Sequence, residues 1–107
     1  MPAWVDAWAR TILAMPVAEV CAGETHAGYF CQVRESLVTS EVRGIGARSI
    51  TLQAVRSNER YLDFDFGGGH VEAHGVLIGP AGWTHVANTE RGERKLRDGV
   101  FAYDTRQ

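Results

Sequence analysis

The stretch RYLDFDFGGGHVEAHGVLI, from Arg60 to Ile78, decides the fold. Leu62, Phe64 and Phe66 alternate with Tyr61, Asp63 and Asp65, the period-two pattern of a strand with one buried and one wet face. Gly67, Gly68 and Gly69 then read as a tight turn that needs positive backbone angles. A two-residue turn at Gly67 and Gly68 sets Phe66 against Gly69 and Phe64 against Val71. One at Gly68 and Gly69 sets Phe66 against Val71 and Phe64 against Ala73. Both keep apolar beside apolar, whereas a three-residue loop puts Phe64 opposite Glu72. In either register the outward face gathers Asp63, Asp65, His70, Glu72 and His74, the chemically densest patch in the chain.

Working outward, Ala3 to Met15 reads as an amphipathic helix with Trp4, Trp8, Ile12 and Met15 on the inner face and Val5 beside them. Asp6 and Arg10 form an i, i+4 pair on the opposite side, and Pro16 ends the helix. Val17 to Ala22 fits either a short helix or a strand, and Gly23 to Gly28 reads as a loop. Tyr29 to Val38 is a strand with Tyr29, Cys31, Val33 and Leu37 inward, Gln32 and Arg34 outward, and Phe30 against the pattern. Glu41 to Ile45 could continue the sheet, and Ser49 to Arg56 is a further strand before a turn at Ser57, Asn58 and Glu59. Beyond the hairpin lie a short strand candidate at Thr84 to Ala87, a charged loop or one or two helical turns at Thr89 to Asp98, and a final strand at Val100 to Tyr103.

These elements make one α+β domain over residues 1–107. A helix over 1–15 packs on a strongly twisted antiparallel sheet over 28–104, of about five strands. A curled, barrel-like sheet is the alternative. With 107 residues, 45% hydrophobic and 22% charged, the composition is that of an ordinary globular domain. A net charge of -2 and a pI near 6.0 leave no global electrostatic footprint for nucleic acid or an anionic membrane. The first helix, interrupted by Asp6 and Arg10, lacks the apolar run of an export signal or a membrane span, so a cytoplasmic protein is expected. Cys21 and Cys31 are the only cysteines. Two buried small apolar residues in a reducing compartment is the expectation, with a bridge between them as the alternative.

His70, Glu72 and His74 lie on one side of a strand, where two imidazoles and a carboxylate could converge on zinc, iron or manganese. A flat sheet splays such side chains, so a third element is needed to close a site. GVLIGPAGWTHVAN, from Gly75 to Asn88, supplies a candidate: an apolar strand, a Pro-x-Gly turn and then His85. This stretch resembles the second motif of the cupins, small double-stranded β-helix proteins, with Pro80, Gly82 and His85 on motif positions. The resemblance implies one metal-binding histidine at His85. Asn88 falls one residue early, the spacing from Gly75 to Pro80 is one short, and the family's His-x-His first motif has no match upstream, where His26 stands alone.

Other chemistry is sparse. There is no Gly-x-Ser-x-Gly elbow, and the glycine run after Phe66 opens no helix, as a phosphate-binding loop would. Arg91, Arg94, Lys95 and Arg97 are interleaved with Glu90, Glu93 and Asp98 and have no aromatic neighbours for stacking bases. The expected function is therefore a non-enzymatic small binding protein of the inhibitor, immunity or adaptor type. It needs no cofactor and presents Asp63, Asp65 and Glu72 to a protein with a basic surface; nucleic acid and membrane are not expected partners. The alternative is a small cupin-like metal protein or metal-dependent enzyme, with a divalent metal on His85 and some of His70, Glu72 and His74.

Overall fold

Pro2 and Pro16 bracket the first helix, each in the extended conformation that a proline ring favours just outside a helix. In the computed structural model, which describes residues 1–26, 29–54, 59–67 and 73–105, α1 spans Ala3–Leu13. A single turn α2, Val17–Val20, leads into β1, Cys21–His26, and β2, Phe30–Val33. A 3-10 turn at Glu35–Leu37 and the short α3, Ser40–Arg43, follow; Thr39 caps α3 by accepting the Val42 N–H at 3.2 Å. Then come β3, Ser49–Gln53; β4, Tyr61–Gly67; β5, His74–Ile78; a 3-10 turn at Thr89–Arg91; β6, Arg94–Arg97; and β7, Val100–Asp104.

Among the described residues the strands form one antiparallel sheet of seven in the order β1-β2-β3-β4-β5-β7-β6, an open sheet rather than a barrel. Seven replace the expected five. The glycine-rich stretch after Val20 forms an edge strand, and the charged stretch before Asp98 forms β6 at the other edge. Glu41–Ile45 leaves the sheet as helix α3, and Thr84–Ala87 is irregular. Among the described residues no helix is long and apolar enough to cross a membrane.

One face of the sheet carries the main core. Val33, Cys31, Leu52, Leu62, Phe64, Val76, Ile78 and Val100 lie under Val5, Ala9 and Ile12 of α1. The buried stripe of α1 is thus Val5, Ala9 and Ile12 with Trp8 half-buried, while Trp4 is 46% exposed, contrary to the expected inner face. The physical reason is Asp6. It is buried, and Arg97 grips its carboxylate with two bonds, Nε to Oδ2 and Nη2 to Oδ1, both 2.7 Å. Arg10, freed from the expected pair with Asp6, donates to the carbonyls of Asp98 at 2.7 Å and Gly79 at 3.4 Å. Both charges of α1 therefore fasten it to the β6–β7 hairpin, and this rolls the helix away from a tryptophan-led stripe.

Cys21 and Cys31 are disulfide-bonded, with Cα atoms 5.4 Å apart, and both lie in the main core. This corrects the expectation of free thiols. The bridge ties the edge strand β1 to β2, where the ladder is irregular between Ala22 and His26.

The hairpin register also differs from the expected one. Phe64 faces Val76 and Leu62 faces Ile78, and the pairing slips near Gly67, which pairs with His74 at a φ of 115°. Neither two-residue turn is compatible with this pairing; Gly68, Gly69, His70, Val71 and Glu72 lie outside the described residues, as does most of the expected turn at Ser57 and Asn58. The correction goes beyond distance along the strand. Phe64 had been set against an odd-numbered partner and now faces an even-numbered one, which turns every β5 side chain to the other face. His74, Val76 and Ile78 therefore lie on the α1 side, and Gly75 and Leu77 on the far side with Asp63 and Asp65.

Asp6→Asn should cost about 2 kcal/mol at neutral pH, the usual size of a lost charge-assisted bond to a buried group. Arg97 holds the Asp6 carboxyl below its ordinary value of 3.8. Its stabilising contribution is present above that value and fades as the pH falls through the lowered one. Urea unfolding at neutral and acid pH should find wild type and variant converging in acid; a gap that persists there would contradict the assignment.

Candidate functional site

Three of the residues singled out from sequence, Asp63, Asp65 and His85, share the far face of the sheet. After β5 the chain turns at Pro80, whose carbonyl accepts the Trp83 N–H at 3.0 Å, and returns across Leu77, Phe101 and Tyr103. The Trp83 indole lies on Gly79, so closely that any Cβ at that position would overlap the ring. It stacks on His85 at 4.5 Å between centroids, leans on Tyr61 at 4.9 Å and meets Phe101 edge-on at 5.5 Å.

His85, the histidine of the cupin-like stretch, is held on three sides. Its ring lies between Trp83 and the edge of Phe101, and its Nε2 stands 2.6 Å from Glu93 Oε1. The Glu93 side chain is almost fully buried; its Oε1 also accepts the Asn88 N–H at 3.1 Å, and Arg91 approaches Oε2 at 3.7 Å. An ionised carboxylate can only accept, so with Glu93 charged the Nε2 of His85 carries the proton. That nitrogen is occupied inside the protein.

A second pair lies beside the first. Tyr103 stands over Gly75, where a Cβ would overlap the phenol and the Phe64 carbonyl, and its hydroxyl crosses β5 to donate to Asp63 Oδ1 at 2.8 Å. Burial pushes the Asp63 carboxyl up despite that bond, with the neighbouring Asp65 adding to the rise. Burial and the facing Asp63 likewise raise the Tyr103 phenol. Tyr61 shifts up for the same two reasons. Arg91 sits 5.7 Å over the Tyr103 ring, a cation–π contact that joins the two pairs.

The sequence-predicted residues thus divide. Asp63, Asp65 and His85 share the far face. Asp63 is a half-buried hydrogen-bond partner rather than a free surface charge, and Asp65 is half-exposed with one oxygen accepting the Gly67 N–H at 2.8 Å. His74 lies on the other side of the sheet, stacked against Phe66 at 6.4 Å, so it cannot share a ligand with His85. His70 and Glu72 lie outside the described residues. Among the described residues no three of His, Cys, Asp and Glu gather as metal ligands do.

Sequence reasoning missed Glu93, Tyr103, Arg91 and Trp83 as members of this cluster, since only the pairing of β5 with β7 brings them together. The sharpest available signal was Gly75 beside a strand of large residues, which marks a close approach from a neighbour. The cluster holds two hydrogen-bonded pairs: Asp63 with Tyr103 ties β4 to β7 across β5, and Glu93 with His85 closes the long connection over the sheet.

Gly75→Ala should destabilise the fold by about 1–3 kcal/mol, the range for inserting a methyl where no space exists. A variant as stable as wild type would show that Tyr103 does not cross β5. Because the folded Asp63 carboxyl is raised, its contribution is fully present below 3.8 and lost as pH rises through the raised value. Asp63→Asn should remove that component of the pH dependence in urea unfolding, and Tyr103→Phe should raise the Asp63 carboxyl further in a carbon-13 NMR titration. A fall in that titration would contradict the assigned bond.

No protein-family profile, curated protein or solved structure matches this chain.

Proposed function

We propose that this chain is a small non-catalytic binding protein, of the inhibitor, immunity or adaptor type, that docks a protein partner on the far face of its sheet. The observation that carries the reading is the half of that face beyond the Trp83 cover. Phe30 at 38% exposure and Gln32 are exposed on β2, Ser49, Thr51 and Gln53 are half-exposed on β3, and Asp65 is half-exposed on β4. The register sets them side by side, with Gln32 facing Thr51, Phe30 facing Gln53 and Ser49 facing Asp65. A flat strip with an aromatic ring at one end and a carboxylate at the other suits a protein surface better than a small substrate. Asp63 and His85, two groups with acid–base chemistry on this face, are each committed to a partner within the fold.

The partner's matching surface is basic, because among the described residues Asp65 and the half-buried Asp63 are the charges on this strip, and the chain is acidic overall. Asp65→Lys reverses a half-exposed charge without touching the Tyr103 bond but gives up the bond from the Gly67 N–H, so Gln53→Lys, which leaves both in place, is its companion. Capture on immobilised wild-type chain should retain a protein partner at low salt, and Asp65→Lys or Gln53→Lys should weaken that binding by about tenfold or more, roughly 1.4 kcal/mol. Undiminished capture by both variants would sink the assignment of this face.

A further inference from the structure

Among the described residues the sheet ends at β6, Arg94–Arg97, which has β7 on one side and no strand on the other. The ladder with β7 tells which backbone groups face outward. The Asp104 N–H donates to the Gly92 carbonyl at 3.3 Å, which marks a hydrogen-bonded position, and Arg94 with Ala102 is the next one along. Lys95 lies opposite Phe101, one residue further, so its N–H and C=O turn away from β7 into the open edge. An edge of this kind is a template for a further strand.

The side chains of β6 decide which strand it can take. Arg94, Lys95 and Leu96 are exposed, Leu96 to 40%. Arg94 shares the α1 face with Ala102, and Lys95 shares the far face with Phe101, so the edge carries one cation on each side of the sheet. Among the described residues neither cation has an ion pair. Arg97, the third cation of the strand, is held by Asp6, and the carboxylates that flank β6 are engaged too, Glu93 with His85 and Asp98 with the Gly82 N–H. The pairing slips between Lys95 and Arg97, which ends the regular edge there. A second copy of β6 would bring Arg94 and Lys95 against their own like charges. An acidic strand meets opposite charge on both faces.

We propose that β6 accepts an extended acidic segment of another protein as an added strand. Lys95 exchanges main-chain N–H and C=O bonds with it, and Arg94 and Lys95 hold carboxylates on its two faces. Consecutive residues of a strand point to opposite faces, so the segment needs two adjacent acidic residues. The regular edge is short and offers few main-chain bonds, so charge supplies much of the affinity and binding weakens with salt. This edge is distinct from the strip proposed for a basic protein surface, which lies on β2, β3 and β4 toward the other end of the sheet. Either could be occupied without the other.

The test is a low-salt titration of the full nitrogen-15-labelled chain with three capped peptides. The first is Thr-Val-Thr-Glu-Asp-Val-Thr-Val; the second replaces its acidic pair by two lysines; the third keeps the acidic sequence but is N-methylated at every residue, so that it offers no N–H. The acidic peptide should give saturable shifts centred on Arg94, Lys95 and Leu96 and slow hydrogen exchange at the Lys95 amide. Both control peptides should bind more weakly by about tenfold or more. Lys95→Glu, a change at an exposed position, should weaken the acidic peptide by a similar factor and leave the rest of the spectrum unchanged. The proposal is overturned if the acidic peptide causes no saturable shift at millimolar concentration, if either control binds as tightly, or if Lys95→Glu binds like wild type. Concentration-dependent protection of the Lys95 amide in the chain alone would also overturn it, by giving the edge to a second copy.

Discussion

The molecule depends on β5 being buried on both faces. Val76 and Ile78 sink into the core beneath α1, while Leu77, between them, packs under Trp83 and Phe101. A strand in that position cannot alternate apolar with polar residues, and His-Gly-Val-Leu-Ile does not. Two layers follow from it. One is the helix, fastened by Asp6 to Arg97 and by Arg10 to the Asp98 and Gly79 carbonyls. The other is the long connection from Gly79 to Glu93, fastened by Glu93 to His85 and joined to β4 through Trp83 and Tyr61. Gly75 completes the arrangement, because its missing side chain lets Tyr103 reach across β5 to Asp63.

The same strand explains what the sequence could and could not disclose. The first arm of the hairpin was legible because Tyr61 to Phe66 alternates cleanly, and β4 occupies that span. The second arm carries apolar residues at successive positions, so alternation gave no parity there, and the glycines admitted a turn shorter than the real connection. The error turned His74 to the wrong face and grouped it with Asp63 and Asp65, from which the sheet separates it. The helix was legible in place and length, yet its inner stripe was misread. Two tryptophans outweighed a carboxylate whose partner, Arg97, stands 91 residues away. No local pattern announces such a bond. Cys21 and Cys31 were likewise unreadable as a pair until β1 was known to be a strand beside β2.

The sequence reading offered Asp63 as a partner-facing charge and His85 as a metal ligand in its alternative, and in the structure both are hydrogen-bonded within the fold. Asp63 on β4 is bound by Tyr103 on β7 across β5, and His85 is bound by Glu93 at the end of the same long connection. The far face also keeps an open part, the strip of β2, β3 and β4 that carries Phe30, Gln32, Thr51 and Asp65.

The separation of those faces rests on the β4–β5 register, and nuclear Overhauser contacts in carbon-13-labelled protein test it most directly. The account predicts contacts from Phe64 to Val76 and Leu62 to Ile78, with Leu77 contacting Phe101 and not Phe64. Contacts from Phe64 to Val71 or Ala73, with Leu77 on the α1 side, would contradict it and return His74 to the face of Asp63.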